Sequence, residues 1–423
     1  MKVLVVGSGG REHAIVSKLA QSPNVKRLFC APGNAGIAEQ AELVPITPQT
    51  DSLIRFAIEN KIDLTIIGPE SPLIAGLVDD MEEVGLKVFG PRSAAAELEG
   101  SKAFAKDLMR ANSIPTAEFE TFTDSHSAKD YVKKRSDAGM KLVIKASGQA
   151  LGKGAIVTES LGQALDAVEM LMDRNTLGEA GKTVVVEDRL EGPELSIMAI
   201  SDGTTVTMLQ GSQDYKRVYD GNQGANTGGM GSYTPVPFLT DELQASIYKK
   251  IVRPTVKAMA DKGIPYKGVL FPGVLVQEGL PYTLEFNCRF GDPETQSVLQ
   301  MLENDFLEVA MAVVEERLDQ VEIRWKKGAA VCVVMASRGY PGEYKTGFPI
   351  EGLEQAKKIP GVSVMHSGTR LLGDTIVTSG GRVLGVTATG PTIQEARKLA
   401  YQACDQIHFE GAHYRRDIAE GIS

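Results

Sequence analysis

The sequence predicts a multi-domain α/β protein, and three observations carry that expectation. Its 423 residues are too many for one ordinary domain, so two to four are expected. Up to about Gly100, short apolar runs alternate with helix-length segments, the pattern of a doubly wound sheet. From Leu195 the pattern turns β-rich, with glycine turns and one long polar loop.

In chain order, Lys2–Val6 reads as a buried parallel strand because its apolar run is continuous and β-branched. Glu12–Ala20 is expected as a helix, Arg27–Ala31 as a strand, Leu53–Asn60 as a helix and Asp63–Ile67 as a strand. Leu73–Val84 reads as one helix and Lys87–Phe89 as a strand, closing a first domain near Gly100. Beyond it come a helix at Ala103–Ala111, strands at Leu142–Ala146 and Ala155–Thr158 around a glycine-rich stretch, a helix at Leu161–Asp173 and a strand at Thr183–Glu187. A small module of that kind, with a glycine loop between two strands, suits a lid. Strands are then expected at Ser196–Ile200, Val206–Leu209, Gly268–Gln277 and Tyr282–Asn287. The polar loop Asp214–Tyr233 and a helical stretch from about Glu242 to Lys262 lie between them. Asn304–Glu316 reads as a helix. A last segment opens with Ala329–Ala336 and closes with Val383–Thr389 and the helix Gln394–Ile407.

Composition narrows the function. The net charge is −9 and no Lys/Arg-rich run occurs, which argues against nucleic acid as a partner, since phosphate-backbone affinity needs clustered cations. The four cysteines are scattered, with no C-x-x-C pair, so neither zinc nor a disulfide framework is indicated. No segment reaches eighteen apolar residues, and Met1–Gly7 is too short for a signal segment, so a cytoplasmic protein with no membrane partner is expected.

Several motifs carry chemistry. Gly7-Ser8-Gly9-Gly10-Arg11-Glu12-His13 follows a strand and opens a helix, where backbone N–H groups and the helix N-terminus favour an anion. A nicotinamide-cofactor reading fails because Glu12 stands at the third fingerprint glycine and Arg27–Gly33 holds no carboxylate. Gly33-Asn34 and Gly68-Pro69-Glu70 also follow strands, and strand-end loops converging on one crevice suit a sugar phosphate; singly, each is an ordinary turn. Lys145-Ala146-Ser147-Gly148 and Gly152-Lys153-Gly154 resemble a phosphate-bridging lysine beside a glycine hairpin, but the Walker spacing is absent because Ala155 follows. Glu187-Asp188-Arg189-Leu190, with Glu194, could serve a ribose, although alone it reads as a solvated acidic turn.

The strongest constellation is Glu285-Phe286-Asn287-Cys288-Arg289-Phe290-Gly291-Asp292-Pro293-Glu294-Thr295. On a strand, Glu285, Asn287 and Arg289 share a face. Two oxygen ligands at that spacing suit Mg²⁺, and Arg289 suits a carboxylate or phosphate. The loop Gln213-Asp214-Tyr215-Lys216-Arg217 through Asn226-Thr227-Gly228-Gly229-Met230-Gly231 is long, polar and glycine-rich, a pattern that favours function.

Taken in order, these motifs resemble the glycinamide ribonucleotide synthetases, ligases of the ATP-grasp superfamily acting in purine biosynthesis. Glu99-Gly100-Ser101-Lys102, Met365-His366-Ser367-Gly368-Thr369 and Gly380-Gly381-Arg382-Val383 extend the match, which covers essentially the whole chain. The resemblance implies a Rossmann-like N-terminal domain (1–100), an ATP-grasp core (101–325) with a mobile lid at about 120–190, and a small α+β C-terminal domain (326–423). It implies ATP, glycine and 5-phosphoribosylamine as reactants, Mg²⁺ or Mn²⁺ as the metal, and a monomer or weak homodimer. Lys102, Lys145, Gly152, Lys153 and Gly154 would then meet ATP phosphates. Glu187, Asp188, Leu190 and Glu194 would line the adenosine site, and Glu285 and Asn287 would hold the metal. Arg289, Gly291, Asp292, Asp214 and Lys216 would surround glycine and the amine, with Arg289, Asp292, Asp214 and Lys145 as the catalytic set. Gly10, Arg11, Glu12, Asn34 and Glu70 would hold the ribose phosphate. The chain departs from the family pattern at Ser147, Gln149, Tyr215, Ala225 and Ser367; Ser147 and Tyr215 are expected near nucleotide and substrate. Competing expectations are another ATP-grasp carboxylate–amine ligase, a nicotinamide-dependent oxidoreductase and a nucleotide-sensing protein.

Overall fold

A computed structural model of the chain describes residues 1–47, 50–150 and 154–422. Strands β1 (Lys2–Gly7), β2 (Arg27–Pro32), β3 (Glu42–Leu43), β4 (Leu64–Ile67) and β5 (Val88–Phe89) form one parallel sheet in the order β3-β2-β1-β4-β5. Leu4 and Val6 pack on one face with Leu53 and Ala57 of helix α2 (Thr50–Asn60). Val3 and Val5 pack on the other with Ile15, Val16 and Leu19 of α1 (Gly10–Leu19). Both faces are covered, which is why β1 reads as an unbroken apolar run. The single helix expected over Leu73–Val84 is two, α3 (Glu70–Ile74) and α4 (Leu77–Glu83), because Gly76 turns left-handed at φ 93°. Two further helices follow, α5 (Ser93–Gly100) and α6 (Lys102–Ala111), the second capped by the Ser101 hydroxyl accepting from Phe104 N at 3.2 Å.

A small module comes next. Strands β6 (Phe119–Phe122), β7 (Leu142–Ala146), β8 (Ala155–Val157) and β9 (Val184–Asp188) form an antiparallel sheet ordered β6-β9-β7-β8. Helices α7 (Ser125–Asp137) and α8 (Leu161–Val168) cover it, the latter continued by a π-helical turn at Glu169–Asp173. Ala128, Val132, Ile144, Val168, Leu171 and Val186 give this module a core of its own. Of its glycine-rich connection, Gly152 and Lys153 lie outside the described residues.

The strand expected over Ser196–Ile200 is divided into β10 (Glu194–Ser196) and β11 (Ala199–Asp202), which, with β12 (Val206–Met208), build a central sheet. The loop expected over Asp214–Tyr233 is instead largely strand: β13 (Gln213–Asp214), β14 (Arg217–Tyr219), β15 (Gln223–Asn226) and β16 (Gly231–Thr234). Helices α9 (Asp241–Ile247) and α10 (Arg253–Asp261) are joined by a π turn into one helical stretch, as expected. The central sheet is completed by β17 (Lys267–Gln277) and β18 (Leu280–Asn287), which pair antiparallel. Next come α11 (Glu294–Met301), which the sequence did not signal, and α12 (Phe306–Val314).

The final segment carries β19 (Ala329–Ser337), α13 (Leu353–Lys357), β20 (Val362–His366), β21 (Thr369–Leu372), β22 (Thr375–Thr378), β23 (Arg382–Gly390), α14 (Ile393–Cys404) and β24 (Ala412–His413). Its sheet runs β13-β16-β19-β23-β20, so two strands from the middle of the chain belong to it.

Candidate active site

The constellation at the end of β18 holds its expected alternation. Glu285 and Asn287 lie on the half-exposed side of the strand, while Phe286 between them is buried. Burial alone would raise the Glu285 carboxyl, but Lys216, Lys145, Lys102 and Arg289 together hold it below its ordinary value. Those four cations come from four separate segments, so the fold gathers what the sequence scatters. Lys102 opens α6, Lys145 ends β7, Lys216 follows β13, and Arg289 follows β18. Burial, with Lys145 adding, lowers Lys102 against the pull of Glu285.

Lys145 donates to Leu284 O at 3.1 Å and ion-pairs with Glu187. The second oxygen of Glu187 pairs with Lys106, one turn along α6 from Lys102. Glu187 is 3% exposed. Burial would raise its carboxyl, yet Lys145 and Lys106 hold it down. Burial brings Lys106 down to about 8 despite that pairing. Lys106 lies outside every motif of the sequence, and its spacing from Lys102 on an amphipathic helix is its one signal. Asp188 points from β9 to the opposite side and is bound by Arg135 of α7, with Arg135 Nε at 3.1 Å from Oδ1. Leu190 is half-buried just beyond β9. Ser147 bridges the module to α6: its hydroxyl accepts from Ala103 N at 3.0 Å and its carbonyl from Lys102 N at 2.8 Å.

A second chain of charges runs along the strand ends of the N-terminal sheet. Arg289 donates to Glu70 at 3.2 Å and reaches Glu99 at 3.1 Å, and Glu99 also accepts from Cys288 N at 2.7 Å. Burial would raise the Glu70 carboxyl, but Arg289 and Arg11 hold it low. Arg11 Nε donates to Glu12 at 2.6 Å, and its Nη1 donates to Phe290 O at 3.1 Å. The Glu12 carboxylate accepts from Gly9 N and fills the hollow that Gly7 and Gly68 leave open, where a Cβ on either would strike it. Asp292 accepts from Arg11 N at 3.2 Å. The α1 N-terminus thus faces two protein carboxylates, Glu12 and Asp292, where the glycine turn was expected to meet an anion directly.

Asn34 is committed to the scaffold. Its amide donates to Ser8 O and His366 O at 2.8 Å each, and its oxygen accepts from Gly36 N and Ile37 N at 3.0 Å.

The Asp214 loop closes the opposite side. Burial raises the Asp214 carboxyl, with Glu294 and Glu194 adding and Lys216 opposing. Lys216 pairs with Glu194, so Glu194 faces this loop. Gly229, at φ 112°, packs against Pro293 where a side chain has no room. Arg382 donates to Gly228 O at 2.6 Å and Asp292 O at 2.7 Å, tying loop and strand end together. Burial would raise Asp292, but Arg382 and Arg11 keep it low. Gly291 is required because Glu294 occupies the space its Cβ would take. Tyr215, expected beside the substrate, instead points away, its hydroxyl accepting from Ala419 N at 2.9 Å.

The donor set fits a hard divalent cation. Glu285 is held charged beside the Asn287 amide oxygen, and no group of three or more His, Cys, Asp or Glu suited to a metal occurs among the described residues. Two protein oxygens suit Mg²⁺ or Mn²⁺ completed by water and phosphate, not a zinc cage.

Comparisons with known proteins give the family of the chain. Family models for phosphoribosylglycinamide synthetase match residues 1–99 (N domain), 100–295 (ATP-grasp domain) and 330–421 (C domain). The chain is 47% identical to a phosphoribosylamine–glycine ligase of Caldanaerobacter subterraneus, covering 100% of both. It is 46% identical to the one from Escherichia coli, over 99% of this chain and 98% of the relative. The crystal structure of a phosphoribosylamine–glycine ligase from Thermotoga maritima superposes with a TM-score of 0.83 at 33% identity, covering 99% and 100% of the two chains. A biotin carboxylase from Campylobacter jejuni gives 0.73 at 15% identity, over 98% and 92%, and shares the fold alone.

Proposed function

We infer that this chain, which belongs to the phosphoribosylglycinamide synthetase family, is an ATP-dependent ligase joining glycine to 5-phosphoribosylamine. The products are glycinamide ribonucleotide, ADP and phosphate. The observation that carries the chemistry is Glu285, charged and half-exposed among cations from four segments. Such a cluster suits a polyphosphate whose charge spreads during transfer.

Lys102 and Lys145 bind and orient the ATP phosphates, and Gly152, Lys153 and Gly154 are further phosphate contacts in this reading. As Lys145 turns to phosphate, Lys106 keeps Glu187 compensated. A Mg²⁺ or Mn²⁺ ion held by Glu285 and Asn287 would supply neutralising charge to the phosphoryl oxygens. Glycine lies between Lys216 and the Arg289–Asp292 turn. Its carboxylate oxygen attacks the γ-phosphorus, and the bond to the β-phosphate oxygen breaks, giving glycyl phosphate and ADP. The amine nitrogen of phosphoribosylamine then attacks the acyl carbon, and phosphate leaves with the acyl oxygen. Asp214, its carboxyl raised by burial, takes the proton the amine loses. Arg11 and Glu70 border the ribose phosphate, with Asn34 shaping the loop beneath. Folding the 119–188 module over the site would keep water from the acyl phosphate. The metal, the residue roles, the division at 1–100, 101–325 and 326–423, and a cytoplasmic monomer or weak homodimer are parts of this proposal.

The test is ADP release by purified protein with ATP and Mg²⁺, adding glycine and phosphoribosylamine generated in situ, separately and together. Turnover only with both is expected. Equal turnover with another carboxylate or amine would replace the substrate assignment.

A further inference from the structure

The strands flanking the Asp214 loop belong to the C-terminal sheet, and the last residues of the chain grip the ribbon between them. Alternation along the chain turns Asp214 and Lys216 one way and Tyr215 the other. The Tyr215 ring lies under the Arg415 guanidinium, 4.8 Å from its centroid. The Arg415 side chain is wholly buried. It donates bidentately to Asp417 at 2.7 and 2.6 Å, and through Nη1 to Arg217 O at 3.0 Å and Asn222 Oδ1 at 3.1 Å. Around it, His413 Nε2 donates to Val218 O at 2.9 Å. Gly221 N donates to Asp417 at 2.9 Å, and Arg416 N to Asp220 at 2.8 Å. The β14–β15 ribbon brings little packing of its own, since β15 is exposed along its whole length. Arg217 to Asn222 is therefore held by hydrogen bonds to 413–417, and Gln223 to Thr227 pairs back onto β14 and Lys216.

We propose that Arg415 is a positioning residue for Asp214 and Lys216, acting through the Tyr215 ring and the 217–226 ribbon. This rests on the ligase reading above, in which those two side chains meet glycine and the amine. A planar fork bonded on both edges and stacked on a ring fixes orientation as well as distance, which a lysine cannot do. On the nucleotide side, Lys102, Lys145 and Glu187 share no hydrogen bond or ion pair with this network among the described residues, and Lys216 alone joins the two, through Glu285.

The experiment is steady-state kinetics with a parallel nucleotide titration on Arg415→Met, Arg415→Lys and Tyr215→Phe. Arg415→Met is expected to raise KM for glycine and phosphoribosylamine about tenfold or more, with the dissociation constant for metal-free ADP within about twofold of wild type. Arg415→Lys and Tyr215→Phe should move the same KM values in the same direction by less. If Arg415→Met fails to fold, those two variants decide by the same split. Unchanged KM values, or nucleotide affinity falling in parallel with them, would overturn the proposal. Absence of turnover in the wild-type chain would overturn the ligase reading and this proposal with it. Wild-type turnover with unchanged variants would overturn this proposal alone.

Discussion

Glu285 is one carboxylate among four cations, and its loss leaves those cations without their shared counter-charge. Glu285→Gln keeps the shape and removes the charge, so kcat/KM for ADP formation should fall about 100-fold or more with little change in melting temperature. Near-normal rates at saturating Mg²⁺ would remove Glu285 from the metal site. Asn34 makes the opposite case, a motif residue whose side chain is fully used inside the protein. Asn34→Ala strands four partners and should cost about 2–4 kcal/mol of stability in urea unfolding. A loss of activity with stability intact would mean that the amide serves the substrate directly.

At the scale of elements, glycines set the turns that aim these side chains. Gly229→Ala meets both a left-handed backbone and Pro293, so it should displace the Asp214 loop and lower kcat/KM while reducing the melting temperature. A Cβ on Gly76→Ala would meet only ordinary contacts with Asp79 and Ser93 at 3.8 and 3.9 Å, so backbone strain alone should cost about 1 kcal/mol and leave the kinetics unchanged. If the two substitutions matched in their kinetics, the Pro293 contact would not matter.

The same elements show what the sequence makes legible. The buried run of β1 and the helical character from about Glu242 to Lys262 are local signals, and both are borne out. The Glu285–Asn287 face was legible too, because alternation is a property of one strand. The division of 196–200 into β10 and β11 was not, since nothing in Ser196–Ile200 marks a break and both halves pair with the same strand, β17. Nor were β13 and β16, whose polar, glycine-rich residues gain strand character from a partner far away in sequence. Partners such as Glu99 for Arg289 and Lys106 for Glu187 depend on tertiary packing that no local window contains.

Across the whole molecule, the N-terminal and C-terminal parts meet at a buried histidine pair. His366 N donates to His13 Nδ1 at 2.8 Å, and neither ring reaches solvent. Burial, with His366 and Lys357 adding, lowers His13 to about 3, and burial with Lys357 lowers His366 to about 4. Both values lie below the unfolded value near 6.5, so on acidification the unfolded chain takes up protons the native state refuses. Stability should therefore fall from about pH 6.5 toward pH 4, by an amount on the order of a few kcal/mol. Urea unfolding at a series of pH values checks this, and His13→Asn should flatten the curve. An unchanged slope in that variant would assign the acid sensitivity to carboxylates.

The seating of β16 beside β19 has a consequence for synthesis. Gly231–Thr234 pairs with Ala330–Val333, so a strand at the substrate loop waits for a partner about 100 residues downstream. At translation speeds of roughly 5–20 residues per second, that wait lasts about 5–20 s. Throughout it the emerging chain carries an unpaired strand edge that can join another copy. The side of the site proposed to bind glycine cannot take shape until Ala330–Val333 has emerged. The lysines proposed to bind nucleotide, Lys102 and Lys145, are synthesised well before that.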